Sequence, residues 1–485
     1  MRAILIALAL GVVSTGAFEP LAIPGLMILT LAGFFALLRT LSGASARLVL
    51  AVGFSFGLGF MGPLIWWMNA VDRWAWVGLV LFEAAFIAGV SLALRSGVHG
   101  KFWPIWAAAI WTAGELLRGS VPLSGFPWGR LGHTAIDTPF EGWVRLVSIA
   151  GTSFLMAVLA GLLVVAVTER RWWPLAASAA VIAVGTVLPT GIASAGQSRT
   201  IAVVQGNTPG DFLSWPRGEI FDLHVAGTRK IDQQVDLVLW PENGSDLDVF
   251  TDPVARATVT KLAADVDAPI LVGAILNGPT DKTAYNASVK VDKKGPHKDF
   301  YVKQNVVPYG EYVPFRNALG RFVPRFDRDI PRDMLAGDRP GVMSAGKMTV
   351  GLTICWDIAY DAAVRESVNR GAQFLAVQTS NASFMDFGSG VQPQQQWAIS
   401  RLRAIETGRW LAVASTNGIS GVVDPTGHVV QQAPVKEPAT LVQDIVLANG
   451  RTPATILGFA TSLVIWLIAV AGLAFGNREL RKGSR

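Results

Sequence analysis

Two short segments each end in a side chain that could take part in nucleophilic chemistry. Glu242 follows Leu239-Trp-Pro, and proline cannot continue a strand's hydrogen-bond ladder, so Glu242 is expected at the end of a buried strand. Cys355 follows the apolar run Thr349–Ile354, and we expect it at a strand-to-helix turn that exposes the thiol. The backbone N–H of Trp356 could there help to stabilise an oxyanion. Taken singly, Glu242 also fits a solvated turn residue and Cys355 a buried core residue.

A third segment carries a lysine and a second glutamate. Tyr301–Pro314 reads Tyr-Val-Lys-Gln-Asn-Val-Val-Pro-Tyr-Gly-Glu-Tyr-Val-Pro, so aromatic residues and prolines hold Lys303 and Glu311 in a stiff stretch. By itself this stretch would also fit a surface loop with ordinary charges. With the other two segments, it would add fixed positive charge to a nucleophile and a base.

The three segments together resemble the nitrilase superfamily, whose triad is Glu, Lys and Cys in this chain order. The resemblance implies that Cys355 attacks a carbonyl as a thiolate. Glu242 would accept the thiol proton and later return it. Lys303 would stabilise the tetrahedral oxyanion.

The composition places much of the chain in lipid. Of 485 residues, 51% are hydrophobic and only 16% are charged, whereas about a quarter is charged in ordinary soluble domains. The net charge of +6 does not indicate nucleic-acid binding, because many basic residues flank apolar runs. The single cysteine excludes an intramolecular disulfide, and the five scattered histidines lack the spacing of a metal site. We therefore expect neither a metal nor a cofactor.

Apolar runs long enough, or nearly so, to cross a membrane occupy the beginning of the chain and recur near its end. The expected spans are 3–18, 21–38, 47–69, 74–95, 103–118, 143–168, 172–191 and 454–475. With simple alternation, the connections richest in Lys and Arg fall on one side, together with the basic C-terminal tail. This pattern predicts that both termini are cytoplasmic and that the region from about 196 to 450 is extracytoplasmic. We expect Glu115 to pair with Arg118 at the end of the fifth span.

The middle region reads as a soluble α/β domain, because short β-branched runs alternate with helical patterns. The strand candidates are Thr200–Gln205, Asp236–Leu239, Pro269–Leu276, Asn286–Val291, Met348–Ile354 and Phe374–Gln378. The helix candidates are 252–266 and 393–408.

A nitrilase-like domain between membrane spans resembles the apolipoprotein N-acyltransferase family over essentially the whole chain. Apart from the lysine segment, the matching segments are Val204–Asn207 with Trp215, Glu115–Gly119, Gly125–Trp128 and Arg401–Arg409. Glu311 stands at the position of the family's second essential glutamate. Two segments depart from the family pattern. Trp356-Asp357 replaces its usual Tyr-Glu, and Asn381–Asp386 replaces its Asn-Asp-x-Trp-Phe-Gly, with Ala382 at the missing carboxylate.

The resemblance implies a multi-span helical membrane bundle and an extracytoplasmic αββα sandwich. The expected domains are the bundle at 1–195, the catalytic domain at 196–450, and a last membrane helix with a basic tail at 451–485. It also implies a bacterial plasma-membrane enzyme that moves a fatty acyl chain, through a Cys355 thioester, from a glycerophospholipid to the N-terminal amine of a diacylglyceryl-modified lipoprotein. Trp356 and Asp357 would support the site, and Trp215 and Phe384 are candidates for substrate contact. The segment Leu319–Leu335 fits either an interfacial arm or a solvated loop.

Two other functions stay open at this point. A membrane-tethered amidase would use the same triad with water as the acceptor, although one helix would suffice as its tether. A transporter or receptor with a sensing domain predicts broken pairs of spans around a midplane site, and the sequence has no convincing pair.

Overall fold

The computed structural model describes residues 1–189, 196–210, 215–316, 328, 330–386 and 389–483. The chain divides into two compact units. One consists of Met1–Thr190 with Thr452–Arg485, and the other is Gly191–Arg451.

The first unit is helical, and a helix forms at each of the eight positions where the sequence predicts a span. In chain order they are α1 (Arg2–Ser14), α2 (Leu26–Thr40), α3 (Ala46–Leu64), α4 (Arg73–Gly97), α5 (Trp103–Arg118), α6 (Glu141–Glu169), α7 (Trp173–Val187) and the C-terminal helix Pro453–Gly483.

Four of these helices are long and apolar enough to cross a membrane. They are Ala46–Leu64, Arg73–Gly97, Glu141–Glu169 and the part Pro453–Gly476 of the last helix. Three more, Arg2–Ala17, Leu26–Thr40 and Trp173–Val187, are apolar but shorter. The 16 residues of α5 make a rod of about 24 Å, somewhat less than the roughly 30 Å of a hydrocarbon core.

The predicted pairing of Glu115 with Arg118 is wrong. Arg118 Nη1 instead lies 3.1 Å from Glu83 Oε2, and the Arg118 guanidinium also donates to the carbonyls of Phe126, Trp128 and Gly129. Glu115 Oε1 accepts from Trp111 Nε1 and from the backbone N–H of Leu131. The sequence places Glu115 one turn before Arg118, but the chain after α5 folds back and surrounds the guanidinium with carbonyls.

The second unit contains two β-sheets. Its strands are β1 (Ser198–Gln205), β2 (Leu237–Leu239), β3 (Ile270–Asn277), β4 (Thr283–Asp292), β5 (Gly295–Pro296), β6 (Tyr301–Val302), β7 (Asp333–Met334), β8 (Val342–Ala345), β9 (Met348–Ile354), β10 (Phe374–Thr379), β11 (Leu411–Ser415), β12 (Gly421–Val423), β13 (Val429–Gln432) and β14 (Ala439–Val446). Its helices are α8 (Glu219–Thr228), α9 (Pro253–Asp265), α10 (Asp361–Asn369), α11 (Ala382–Asp386) and α12 (Val391–Thr407). The C-terminal helix is therefore α13.

The two sheets have related orders and pack face to face. One runs β14-β1-β2-β3-β4-β5, with β6 and β7 also paired to β4, and the other runs β13-β12-β11-β10-β9-β8. Strands β1, β2 and β3 are mutually parallel, as are β9, β10 and β11. Val203 and Leu239 of the first sheet share a buried apolar cluster with Leu352 and Ala376 of the second.

Helices cover the outer face of each sheet. Residues of α8 and α9, such as Phe221 and Val259, pack on the first sheet, while α10 and α12 contact β9 and β11 of the second. The domain is therefore the αββα sandwich that the resemblance implies. All six predicted strands and both predicted helices are present, and Met348–Ile354 has the predicted bounds. The predicted arm at Leu319–Leu335 lies largely outside the described residues, because 317–327 and 329 are not among them.

Candidate active site

Glu242 is held at the end of β2 by a close approach of backbone to backbone. Trp240 is fully buried, and Pro241 then turns the chain across β3. At Gly273 of β3, a Cβ would lie 2.0 Å from the Pro241 carbonyl oxygen and 2.9 Å from Glu242 Cα. Only glycine therefore allows this crossing, and it places Glu242 over the carboxyl ends of the parallel strands, as the sequence predicts.

The Glu242 carboxylate accepts hydrogen bonds from both sheets. Its Oε1 accepts from Asn286 Nδ2 at 2.7 Å and from Lys303 Nζ at 3.3 Å, and its Oε2 accepts from Ser380 N at 2.7 Å. Ser380 directly follows β10, whereas Asn286 lies on β4. Burial raises the pKa of Glu242, and the Glu311 charge adds to this, while Lys303 and the hydrogen bonds oppose it. A buried carboxylate with a raised pKa is a better proton acceptor than a solvated one.

Lys303 lies between two carboxylates. Its side chain is almost fully buried, and Nζ donates to Glu311 Oε1 at 2.9 Å as well as to Glu242. Burial alone would lower the pKa of Lys303, but Glu242 and Glu311 outweigh it and hold the pKa well above its usual value. Lys303 is therefore charged at all physiological pH values.

Glu311 and Asn286 fix the position of the lysine. Glu311 Oε2 accepts from Val307 N at 2.7 Å, and Glu311 Oε1 accepts from Asn286 Nδ2 at 2.9 Å. The Asn286 amide thus donates to both glutamates, which share Lys303. The sequence analysis identified Glu311 but not Asn286. The feature that could have indicated Asn286 is a side-chain amide within a buried strand.

Cys355 stands where β9 ends and a 3-10 turn, Cys355–Ala359, begins. Its φ is 54°, in the left-handed region that a non-glycine residue rarely adopts. Such strain at a strand-to-turn junction is typical of an exposed nucleophile. The side chain is half-buried, and the thiol is free.

The electrostatics keep the Cys355 thiol protonated at rest. Burial raises its pKa to about 12, and the charges of Glu242 and Glu311 add to this effect, while Lys303 and a hydrogen bond with Thr379 oppose it. The charge of Glu242 therefore acts on the thiol and favours its protonated form. The site therefore holds a protonated thiol close to a buried carboxylate rather than a preformed thiolate.

Asp357 ties the turn after the cysteine to the lysine segment. Its Oδ2 accepts from Tyr301 Oη at 2.9 Å, and its Oδ1 accepts from the Asn305 backbone and side chain. Trp356 Nε1 donates to the Asn305 carbonyl at 2.9 Å. Because Tyr301 and Asn305 flank Lys303, these bonds fix the nucleophile's turn relative to the lysine. The aromatic and the carboxylate that replace the family's Tyr-Glu therefore both have structural partners.

Arg403 of α12 supports the same turn from the other side. Its fully buried guanidinium donates to the carbonyls of Ile358 and Ala359 and to Asp361 Oδ1, and it also pairs with Glu406. The sequence marked the Arg401–Arg409 segment without giving Arg403 a role. The sequence feature that could have indicated this role is an arginine on the buried face of a helix. A buried charge is stable there only when it has hydrogen-bonding or charged partners.

The remaining predicted residues are Trp215 and Phe384. Trp215 is half-buried and precedes α8, and Phe384 is half-buried on α11, with its N–H donating to the Asn381 carbonyl. Their contact with substrate stays a prediction. Asn381 binds Gln392, Gln396 and Ser415, so this segment serves a buried amide network.

The arrangement supports acyl transfer through a covalent cysteine intermediate. It combines a free thiol at a strained turn, a buried carboxylate and a fixed cation. Within the described part of the chain, no group of three or more His, Cys, Asp or Glu side chains could hold a metal ion.

Comparisons with known proteins cover both units. Residues 10–162 match the profile of the family described as apolipoprotein N-acyltransferase N-terminal domain, and residues 200–452 match that of carbon-nitrogen hydrolase. A relative named apolipoprotein N-acyltransferase from Mycolicibacterium smegmatis is 31% identical, with 89% of this chain and 79% of the relative covered. One of the same name from Vibrio cholerae is 27% identical, with 97% and 96% covered.

Among solved structures, a mutant of the amidase from Nesterenkonia AN1, of the nitrilase superfamily, is 22% identical with a TM-score of 0.39. The match covers 52% of this chain and 93% of the amidase.

Proposed function

Because the chain belongs to the apolipoprotein N-acyltransferase family, we propose that it transfers a fatty acyl chain from a glycerophospholipid to the N-terminal amine of a diacylglyceryl-modified lipoprotein. The observation that carries this proposal is the Glu242–Lys303–Glu311 ion network beside the only cysteine. The proposed catalytic residues are Cys355, Glu242 and Lys303.

In the first half-reaction, Cys355 Sγ attacks the ester carbonyl carbon of the phospholipid, and the thiol proton passes to Glu242. The tetrahedral oxyanion takes a hydrogen bond from Lys303, which has three N–H donors, two of them used in the described contacts. The Trp356 backbone N–H is the proposed second donor. Glu242 returns the proton to the departing alkoxide, so a lysophospholipid leaves and an acyl thioester remains on Cys355.

In the second half-reaction, the lipoprotein's amine attacks the thioester carbonyl. Glu242 takes one amine proton and delivers it to the departing Cys355 sulfur, so the free thiol and an amide are produced. Since the acceptor enters after the lysophospholipid has left, the kinetics should be ping-pong.

The membrane unit suits two lipid substrates. The chain is a membrane protein, because four of its helices are long and apolar enough to span a bilayer and its relatives are acyltransferases of the same family. We place it in the bacterial plasma membrane, with the catalytic domain, about residues 196–450, outside and both termini in the cytoplasm. The charge asymmetry of the connections supports this orientation.

Intact mass after incubation with phospholipid tests the proposal. The wild-type protein should gain one fatty acyl group, and Cys355→Ala should gain none. A diacylglyceryl-cysteine peptide should then discharge the adduct and become acylated. A peptide with a blocked N-terminal amine is the matched control and should leave the adduct in place.

Three outcomes would contradict the proposal. Discharge by water but not by the peptide would make the protein a hydrolase. An equal adduct on Cys355→Ala would exclude Cys355 as the nucleophile. Absence of any adduct with phospholipid would exclude the thioester route.

A further inference from the structure

A cluster of basic and aromatic side chains lies at one end of the helical unit. Its residues are far in sequence from the proposed catalytic residues. This end, called the basic end here, is where α2, α4 and α6 finish and α5 and α7 begin. The Arg39 guanidinium at the end of α2 stacks over the Trp103 ring at the start of α5, with 4.5 Å from Cζ to the ring centroid. Phe35, one turn before Arg39, meets the same ring edge-on at 6.3 Å.

Three buried nitrogen atoms in this cluster make no hydrogen bond with any described residue. They are Arg39 Nη1, His99 Nε2 and Trp103 Nε1. Trp103 is only 2% exposed, so its N–H has no ready access to water in place of a protein partner. Leaving a buried donor unsatisfied costs free energy, and this cost is avoided when a ligand accepts from it.

Arg39 supplies the positive charge of this cluster and contacts the Trp103 ring, and His99 lies between α4 and α5 at the same end. Burial lowers the pKa of His99, and the positive charge of Arg39 lowers it further. The Arg39 charge therefore acts on the His99 imidazole. Glu169 at the end of α6 is the acidic group that faces Arg39, but Arg171 Nε already lies 3.2 Å from its carboxylate. The Glu169 carboxylate that faces Arg39 is therefore already paired with Arg171, which leaves Arg39 able to bind an incoming anion.

We propose that Arg39, His99 and Trp103 form a binding site for a phosphate group, supplied by the headgroup of a membrane phospholipid. A guanidinium and an indole N–H are donors of the kind that phosphate oxygens accept, and an arginine fork can bind two oxygens at once. Tryptophan and arginine at a helix end belong to the headgroup layer, where basic pockets between membrane helices bind anionic lipids.

In this proposal the phospholipid is a structural ligand of the helical unit and not the acyl donor. α7 ends, and α13 begins, at the opposite end of the helical unit, since Gly476 of α13 approaches Ser96 of α4 and Gly185 of α7 approaches Trp143 near the start of α6. The chain thus leaves and re-enters the unit at the end opposite the basic end. The bound lipid would hold α2 and α5 together rather than enter the reaction.

Native mass spectrometry of the full-length protein in detergent can test the site. The protein would carry Cys355→Ala to prevent turnover, and the probe is phosphatidylglycerol, compared with diacylglycerol of the same chains and with inorganic phosphate. We expect one phospholipid that survives competition by diacylglycerol. Arg39→Gln should weaken it about tenfold, the effect of losing a charge-assisted hydrogen bond. Trp103→Phe keeps the ring under Arg39 and removes the N–H, so it should weaken binding less but measurably.

Arg47→Gln is the matched control, because Arg47 is an exposed arginine at the start of α3, also at the basic end. It should bind as the unsubstituted protein does. Inorganic phosphate that displaces the lipid would assign recognition to the phosphate alone, and failure to displace it would mean that the acyl chains add to the affinity. Equal weakening by Arg47→Gln and Arg39→Gln would overturn the proposal, since binding would then follow diffuse charge. Equal binding of phosphatidylglycerol and diacylglycerol would overturn it as well.

Discussion

At the scale of single residues, the reactivity of Cys355 should reveal a protonated thiol. Burial raises its pKa to about 12, so the thiol is almost entirely protonated at neutral pH. We expect the rate of alkylation by iodoacetamide to rise about tenfold per pH unit from pH 6 to 10, without a plateau. Because Cys355 is the only cysteine, total label measured by intact mass reports this site alone.

Two substitutions beside the thiol should shift this profile in opposite directions. Glu242→Gln removes a negative charge that raises the thiol pKa, so alkylation at a given pH should be faster. Thr379→Val removes a hydrogen bond that lowers the pKa, so alkylation should be slower. A wild-type plateau below pH 9 would contradict the protonated resting state, and the same shift for both variants would contradict its electrostatic origin.

The lysine between the two glutamates should matter for stability as well as for activity. Lys303→Met leaves the buried Glu242 and the partly buried Glu311 without their cation, and breaking a buried ion pair typically costs on the order of 3–5 kcal/mol. The cost should be large at pH 8 and smaller at pH 5. Loss of the lysine raises the pKa of Glu242 further, and a protonated carboxyl no longer needs the cation. Thermal unfolding at both pH values measures this difference.

The double variant Lys303→Met/Glu311→Gln controls for packing. It removes the cation together with one carboxylate charge, so it should recover part of the stability at pH 8 while staying inactive. If the double variant is as unstable as Lys303→Met at pH 8, the loss would come from the packing of the lysine stem. The charge argument would then be wrong.

At the scale of elements, one glycine controls where Glu242 sits. Gly273→Ala would bring a Cβ to 2.0 Å from the Pro241 carbonyl oxygen, a backbone atom that can yield only if the Pro241–Glu242 segment moves. We expect acyl-enzyme formation to fall by two orders of magnitude or more, because misplacement by about 1 Å can cost that much. Intact-mass kinetics with phospholipid measures the effect.

Gly351→Ala in β9 is the matched control. Its Cβ would meet Leu375 Cδ2 at 2.7 Å, Ala372 Cβ at 2.9 Å and Ser367 Cβ at 3.4 Å, so the strain would fall on Leu375 and on the segment Ser367–Ala372 rather than on the Pro241–Glu242 segment. It should therefore lower the melting temperature and retain more activity than Gly273→Ala. Normal acyl-enzyme formation by Gly273→Ala would show that the crossing at β3 does not position the base.

Which elements the sequence could predict depended on how local their signals are. Strand β9 and helix α5 have the predicted bounds, because an apolar run ends at a turn in one case and basic and glycine residues frame the other. Strands β5 to β8 and β11 to β14 were not predicted, since they are short or lie at sheet edges and depend on neighbours far along the chain. Asn286 and Arg403 were missed as site residues for the same reason, because their partners are distant in sequence.

At the scale of the whole molecule, the distribution of charge predicts how the chain lies in the membrane. A cysteine-free background, Cys355→Ala, allows one cysteine at a time to be introduced at an exposed lysine. Lys261 lies on α9 of the catalytic domain, and Lys101 lies between α4 and α5 at the basic end. Lysines that flank spans are enriched on the cytoplasmic side, whereas those of a translocated domain carry no such bias.

A maleimide that cannot cross membranes distinguishes the two sides. In intact spheroplasts, Lys261→Cys should be labelled and Lys101→Cys should not, and detergent should make both sites reactive. The opposite pattern would put the catalytic domain in the cytoplasm and contradict the proposed orientation. Labelling of both sites in intact cells would mean that the fourth and fifth helices do not follow the predicted alternation.

Helix α5 is the most informative helix for this test, because it has only 16 residues. A helix of about 24 Å must tilt little or thin the bilayer if Lys101 is to lie on the far side of the membrane. Protection of Lys101→Cys together with labelling of Lys261→Cys would place the basic end and the catalytic domain on opposite sides of the membrane.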